Sequence, residues 1–174
     1  AIKMVCISAS QNTFMKHQLA PHNTFLLSIV TITFNNFEDL LHTIESVRDL
    51  EHSEHIIING GNCLKTLEYL KNFSGKSISE PDQGISDAFN KGINLSTGDA
   101  IIMLNSGDIL LDRTYPSRVF KILDQYPDID FVHADLIFED KLIGPYIMRP
   151  LRSKNSLYPN IGRGMPYRHQ SMVV

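Results

Sequence analysis

From Leu26 onward, apolar and polar positions alternate in blocks that name their own elements. Leu27-Ser28-Ile29-Val30-Thr31-Ile32-Thr33-Phe34 is dense in β-branched residues and predicts a buried strand, broken at Asn35-Asn36. Asn36 is placed to cap a helix with Asp39 at the third helical position, and Phe37, Leu40, Leu41, Ile44 and Val47 follow at helical spacing. His55-Ile56-Ile57-Ile58 predicts a second strand that stops at Asn59-Gly60-Gly61. Leu64, Leu67, Tyr69, Leu70 and Phe73 mark a second helix. A short strand at Lys76–Ser79 leads through Glu80-Pro81-Asp82-Gln83-Gly84 into a third helix, whose buried stripe is Ile85, Ala88, Phe89, Gly92 and Ile93. Ala100–Leu104 is an apolar strand, 114–126 a helix and Phe131–Phe138 a further strand. Strands alternating with helices at this spacing predict βαβ units around a mostly parallel sheet, an α/β class.

The segment before Leu26 has neither period. Residues 1–24 read as an N-terminal extension with room for one short helix, loosely docked, and Met4-Val5-Cys6-Ile7 is too short for a signal peptide's apolar region. The apolar stretch Phe25–Phe34 is about half the ~20 residues that a bilayer span needs. Composition changes little in this picture: 43% hydrophobic and 20% charged residues describe an ordinary globular chain of 174 residues. A net charge of -3 with no long basic run argues against a nucleic-acid partner. Two cysteines, Cys6 and Cys63, with no pairing signal fit a reducing compartment, and hence a cytoplasmic setting.

Candidate chemistry collects where the strands end. Ligands of open α/β sheets bind at the carboxyl ends of the strands. Here those ends read Thr33-Phe34-Asn35-Asn36, Asn59-Gly60-Gly61-Asn62 and Asn105-Ser106-Gly107-Asp108. Glycines at such positions let backbone approach a ligand closely. Every α/β domain has polar loops there, so it is the coincidence of three that points to a site. Asp108, raised at the end of an apolar strand, suits a hard divalent cation that takes few protein carboxylates because substrate phosphates supply the rest. The competing interpretation is an Asx-turn in which Asp108 only caps its own loop. On the third helix, Asp87, Asn90, Lys91 and Asn94 share the face opposite the apolar stripe. An Asp87–Lys91 i,i+4 pair on a solvated face would explain two of them, worth roughly 0.2–0.5 kcal/mol. The two asparagines, weak helix formers, tilt this face toward a polar role.

Other chemistries lack their patterns. Gly60-Gly61 follows the second strand and not the first, and there is no dinucleotide fingerprint or phosphate-binding Walker loop. Two cysteines and scattered histidines have no zinc-ligand spacing, and no nucleophile elbow supports Ser-His-Asp hydrolysis.

In order along the chain, these segments resemble the family-2 glycosyltransferases, from about Leu27 to about Ser171. The opening Ser28–Asn35 resembles the family's first strand and donor loop, and His55–Asn62 the strand that ends in its Asp-Gly-Gly-Ser. Ser79–Gly92 is similar to its long central motif, Leu104–Asp108 to a variant metal motif, and Met165–Ser171 to its His-Gln segment. The likeness is greatest to bacterial polysaccharide enzymes such as those of colanic acid biosynthesis. The resemblance implies a GT-A fold, a Rossmann-like three-layer α/β/α arrangement over residues 25–174, incomplete at the C-terminus. It implies an inverting transfer of a hexosyl unit from a UDP- or GDP-sugar to a saccharide or lipid-linked acceptor, in cell-surface polysaccharide biosynthesis. It further implies donor contacts from Thr33, Asn35, Asn59, Gly60, Asp82, Asp87, Asn90, Lys91 and Asn105, a divalent metal (Mn2+ or Mg2+) on Asp108, and a diphosphate contact from His169.

This chain departs from the family at three points. Asn59 stands where an aspartate is usual, and Asn62-Cys63-Leu64 replaces Ser-Thr-Asp; an amide offers donor and acceptor where a carboxylate only accepts, so the departure falls on nucleotide selectivity. Asp108 is the single carboxylate of its motif, leaving Asn105, water and diphosphate to complete the shell. The catalytic base of the relatives lies beyond the His-Gln segment, past Val174, and Asp135 and Glu139 are weaker alternatives. Arg149, Arg152, Lys154, Arg163 and Arg168 make the C-terminal region basic, which suits a diphosphate, an anionic lipid-linked acceptor or a solvated loop. Any membrane attachment would be peripheral, and oligomeric state is not legible. Asn59 and the missing base keep a second function open, a non-catalytic nucleotide-sugar-binding or degenerate domain.

Overall fold

A computed structural model describes residues 2–5, 25–126, 129, 131–140, 142–148 and 172–174. Two sheets organise them. The larger has strand order β4-β3-β2-β5-β10-β7, formed by β2 (Leu27–Thr33), β3 (Ser53–Asn59), β4 (Lys76–Ser79), β5 (Ala100–Asn105), β7 (Val132–His133) and β10 (Met172–Val173). Its first four strands are parallel, with Ile29 opposite both His55 and Ile102, while β10 runs antiparallel between β5 and β7. The smaller sheet has the order β6-β1-β8-β9, from β1 (Ile2–Val5), β6 (Ile109–Leu110), β8 (Asp135–Asp140) and β9 (Gly144–Met148). Helices α1 (Phe37–Val47), α2 (Leu64–Leu70) and α3 (Ile85–Leu95) are the crossovers of the parallel part, and α4 (Tyr115–Gln125) follows β6.

Strand alternation divides the core. Val30, Ile32, Ile56 and Ile58 pack under Ala88 and Phe89 of α3. The opposite pleat sends Leu27, Ile29, Ile102 and Leu104 toward Val47, Tyr115, Val119 and Phe120, and Ile57 toward Leu40, Ile44 and Leu70 of α1 and α2. β2, buried along its whole length between the two layers, reads as a continuous apolar run for that reason. The chain leaves β2 in one direction, through β3 to β4, and α3 then carries it back across to place β5 on the other side of β2. The order therefore reverses between β2 and β5, and a crevice opens there.

Several local expectations are corrected. Phe131–Phe138 is not one strand: the chain breaks at Ala134, with β7 in one sheet and β8 in the other. β1 forms where the extension was expected to hold at most a helix; four residues are too few to show a period, and their partners β6 and β8 are distant in sequence. Residues 6–24 lie outside the described residues. Asn36 does not cap a backbone N–H of α1; its Nδ2 donates to the Asp39 carboxylate at 2.6 Å. Thr43 is buried although outside the predicted stripe, because its hydroxyl accepts from the Gly107 N–H at 2.9 Å. Ile85, expected in the buried stripe of α3, is 63% exposed, and Ile93 is also exposed. Among the described residues no helix is long and apolar enough to cross a membrane.

Candidate functional site

The loops that follow β2, β3, β4 and β5 are tied to one another before any ligand is considered. Gly60 N donates to Thr33 O (3.1 Å), Glu80 N to Asn59 O (3.1 Å) and Ser106 N to Ile32 O (2.9 Å). Asn35, in the left-handed region at φ +52°, turns its Oδ1 to accept from Asn62 N at 2.8 Å. Gly60 and Gly61 are required by this interlock. A Cβ on Gly60 would lie 1.7 Å from Asp82 Oδ2, and one on Gly61 2.5 Å from Asn35 Oδ1. The group against Gly60 is the Asp82 side chain, and Gly61 faces both the side chain and the backbone nitrogen of Asn35.

Between the loops lies a cavity of about 370 Å³, lined by Ile32, Thr33, Phe34, Asn36, Asp82, Gly84, Ile85, Ala88, Asn105 and Ser106. It sits at the reversal of strand order, and its size suits part of a small ligand. Thr33 is 4% exposed, and among the described residues its hydroxyl has no hydrogen-bond partner. A buried hydroxyl left unpaired costs about 1–3 kcal/mol, so this group is placed to receive a bond from something that enters. Phe34 and Ile85, both largely exposed, stand at the same cavity. The candidate list from sequence omits Phe34, Ile85, Asn36 and Ser106; Phe34 carried a signal, since an aromatic at the solvent end of a buried strand has little reason to be there for packing.

The remaining sequence candidates divide by what already holds them. Asn59 is fully buried; its Nδ2 donates to Gly61 O (3.1 Å) and Ser79 Oγ (3.3 Å), and its Oδ1 accepts from Gly61 N. Both of its donors are thus engaged inside the protein. Asp82 lines the cavity and accepts from Gly84 N at 2.9 Å. Asp87 accepts from Gln83 N at 3.0 Å, which holds its carboxyl below the usual range, helped by Lys91. Lys91 reaches Glu80 (3.0 Å), Asp87 (3.4 Å) and Pro81 O (2.8 Å), and the two carboxylates, Glu80 foremost, keep its ammonium more basic than usual. The i,i+4 pair is therefore formed, and it braces the loop from Glu80 to Gly84. Asn90 and Asn94 are exposed on that helix. His169 and the four arginines and one lysine of the basic region lie outside the described residues. Asp135 and Glu139 belong to β8 of the smaller sheet, the first buried and the second exposed.

Asp108 does not line the cavity. It is 6% exposed, and its Oδ2 accepts from Asn105 N (2.8 Å) and Asn105 Nδ2 (3.3 Å). Burial pushes its carboxyl up, and the two Asn105 bonds pull part of the way back. The Asx-type turn and a metal role are compatible, because only one of the two carboxylate oxygens is engaged in these bonds. Among the described residues no three His, Cys, Asp or Glu side chains converge to hold a metal ion. The donor set thus fits a divalent cation only of the kind held by one carboxylate together with phosphate oxygens and water.

The model of glycosyl transferase family 2 matches residues 28–173. The chain belongs to that family. An uncharacterised glycosyltransferase of Mycobacterium tuberculosis is 38% identical over 88 residues, which cover 47% of this chain and 34% of the relative. A PGL/p-HBAD biosynthesis glycosyltransferase of Mycobacterium bovis is 27% identical over 120 residues, 64% of this chain and 47% of the relative. The chain therefore spans less than half the length of these curated relatives. Among solved structures, a mannosyltransferase of Pyrobaculum calidifontis in complex with GDP-Man and Mn2+ superposes with a TM-score of 0.55 at 14% identity, covering 68% of this chain and 38% of that one. TarS of S. aureus in complex with UDP-GlcNAc gives 0.51 at 12%, covering 59% and 32%. At such identities these two show the fold, GT-A-like with a mostly parallel sheet.

Proposed function

We propose that this family-2 chain is the donor-binding part of an inverting glycosyltransferase that moves a hexosyl unit from a nucleoside-diphosphate sugar to a saccharide or lipid-linked acceptor. The observation that carries the reading is the switch-point cavity, with an unpaired buried hydroxyl on Thr33 and a half-engaged carboxylate on Asp108 beside it. Phe34 offers a ring face to a base, Asn35 and Asp82 flank the nucleotide, and Asn105 faces the diphosphate. A divalent cation on Asp108 would supply Lewis-acid stabilisation of the leaving diphosphate. The Asp108 oxygen that Asn105 leaves unengaged would hold it, provided that the carboxylate is ionised. Solved relatives carrying GDP-Man with Mn2+ and UDP-GlcNAc support a nucleotide-sugar donor and a metal. The same proposal sets it in cell-surface glycan or polysaccharide assembly at the cytoplasmic face of a membrane; relatives named for PGL/p-HBAD biosynthesis support a biosynthetic glycosyltransferase.

A second reading, a nucleotide-sugar-binding domain without transfer, is favoured by one observation: Asn59 spends both donors inside the protein, on Gly61 O and Ser79 Oγ. Thermal stabilisation by UDP, GDP and their sugars, with and without Mn2+, tests the shared premise. A ligand at 100 times its dissociation constant adds about 2.7 kcal/mol. A metal-dependent shift that vanishes in Asp108→Asn supports the donor site; no shift with any nucleotide removes it. Sugar transfer then separates the two readings, since only the first predicts glycosylated product.

A further inference from the structure

The switch-point cavity has a polarity of its own. Among the described residues that line it, Asp82 alone is charged, and no lysine, arginine or histidine joins it. A carboxylate with no cation beside it repels a diphosphate and accepts hydrogen bonds, so the part of a nucleotide suited to this space is the nucleoside. Phe34 and Ile85, both largely exposed, give the cavity apolar surface of the kind on which a base stacks. Asp82 is held with half of its carboxylate engaged. Its Oδ1 accepts from Gly84 N at 2.9 Å, while Oδ2 lies over Gly60, in space that a Cβ there would need, and among the described residues no group donates to it. The polar side chain at the end of β3 is withdrawn by contrast. Asn59 is fully buried, with Nδ2 on Gly61 O and Ser79 Oγ and with Oδ1 accepting from Gly61 N. Its donors and its oxygen are already engaged, so the reading of a base's edge falls to the neighbouring Asp82.

We propose that Asp82 sets the nucleobase specificity of the donor site: its free oxygen accepts the ring N–H of a uracil- or guanine-type base and disfavours cytosine and adenine. In the latter two, the ring nitrogen at the corresponding place is itself an acceptor. It faces the carboxylate lone pair to lone pair, and both groups lose a bond on leaving water. A site built to take a hydrogen bond from its ligand rejects the analogue that lacks the donor far more strongly than an apolar pocket rejects a change of shape. The inference rests on the donor-site reading and adds to it which base the donor carries and which residue decides.

The test is titration calorimetry of this chain, with Mn2+ present, using UDP against CDP and GDP against ADP. Within each pair a ring N–H is exchanged for a bare ring nitrogen. In the pair that binds, the N–H member binds at least about tenfold more tightly. Asp82→Asn keeps the shape of the side chain; its amide oxygen stays on Gly84 N, so its NH2 faces the base, and the preference disappears or reverses while the melting temperature of the free chain is retained. A check that needs no variant is UDP or GDP methylated on that ring nitrogen, which binds the parent chain at least about tenfold more weakly. Equal binding within both pairs, a preference for CDP or ADP, or an unchanged preference in Asp82→Asn overturns the proposal and leaves the donor site standing. So does a loss in Asp82→Asn that is the same for every base and is matched by 2′-deoxy-UDP, which would assign Asp82 to the ribose. Binding of none of the four nucleotides removes the donor-site reading and this inference with it.

Discussion

The two ends of the larger sheet carry similar polar side chains and treat them in opposite ways. At the amino end, Glu54 is enclosed by Ser28 Oγ (2.6 Å), Thr97 N (2.6 Å), Thr97 Oγ1 (3.0 Å) and Lys76 Nζ (2.7 Å). Burial alone would raise its carboxyl, but these bonds overrule it and bring the pKa down to about 2. At the carboxyl end, Asp108 receives among the described residues only the two donors of Asn105, burial prevails, and its pKa is raised. Thr33 is left there with a buried hydroxyl and no partner. A buried polar group that the fold fully satisfies is holding the fold; one that the fold leaves short is held ready for something else. The contrast accords with the donor site proposed at the carboxyl end.

The largest expected effect is on that end. Asp108→Asn keeps the shape of the loop and abolishes metal-dependent stabilisation by nucleotide, a loss of about 2.7 kcal/mol under the saturating condition above, read by thermal shift. Metal-dependent binding should also weaken as pH is lowered, with a midpoint above that of an ordinary aspartate, because the raised folded pKa means that Asp108 protonates early.

The opposite end responds in stability and not in binding. Glu54→Gln should cost about 2 kcal/mol in denaturant unfolding and leave nucleotide response unchanged. Its pH signature follows from a lowered folded pKa: the stability is present above about 4.5 and is lost as pH falls toward 2. His55, bonded to Thr31 at 2.9 Å and set edge-on to Phe73, is held neutral by burial with a pKa of about 4. Its folded pKa is likewise lowered, so acid destabilisation begins near 6.5 and runs to about 4 before the Glu54 phase takes over. Glu54→Gln removes the later phase alone, which a pH series of unfolding free energies would reveal.

Two smaller effects sharpen the comparison. Gly60→Ala sets a methyl against Asp82, so Asp82 must swing away, and donor binding should fall at least about tenfold while the core is unaffected. Adding Asp82→Ala relieves the clash, and titration calorimetry on the double-mutant cycle should give a coupling of about 0.5–3 kcal/mol. Thr33→Val removes the unpaired hydroxyl; it should stabilise the free chain by about 1 kcal/mol and weaken nucleotide binding by a similar amount. Weaker stability in Thr33→Val would show that the hydroxyl was already serving the fold.

Much of the architecture is written locally. The runs Leu27–Phe34, His55–Ile58 and Ala100–Leu104 announce strands because they are dense in apolar and β-branched residues, Leu27–Thr33 being buried on both faces, and the helices between them repeat at 3.6 residues. The polar clusters at the strand ends, the central Ser79–Gly92 motif and the family resemblance could all be read from residue order, since each is a property of neighbours in the chain. The occupancy of each polar group could not. That Asn59 gives a donor to Ser79, that Asn35 accepts from Asn62, and that Lys91 braces Glu80 and Pro81 depend on loops brought together only when β4, β3, β2 and β5 pair. The division of 131–138 between two sheets has the same origin, because a strand needs partners and its partners here, β1 and β10, lie at the two ends of the chain. Sequence periodicity determined what each segment is; tertiary pairing decided which side chains were satisfied by the fold and which were left for a ligand, because hydrogen-bond partners are set by proximity in space.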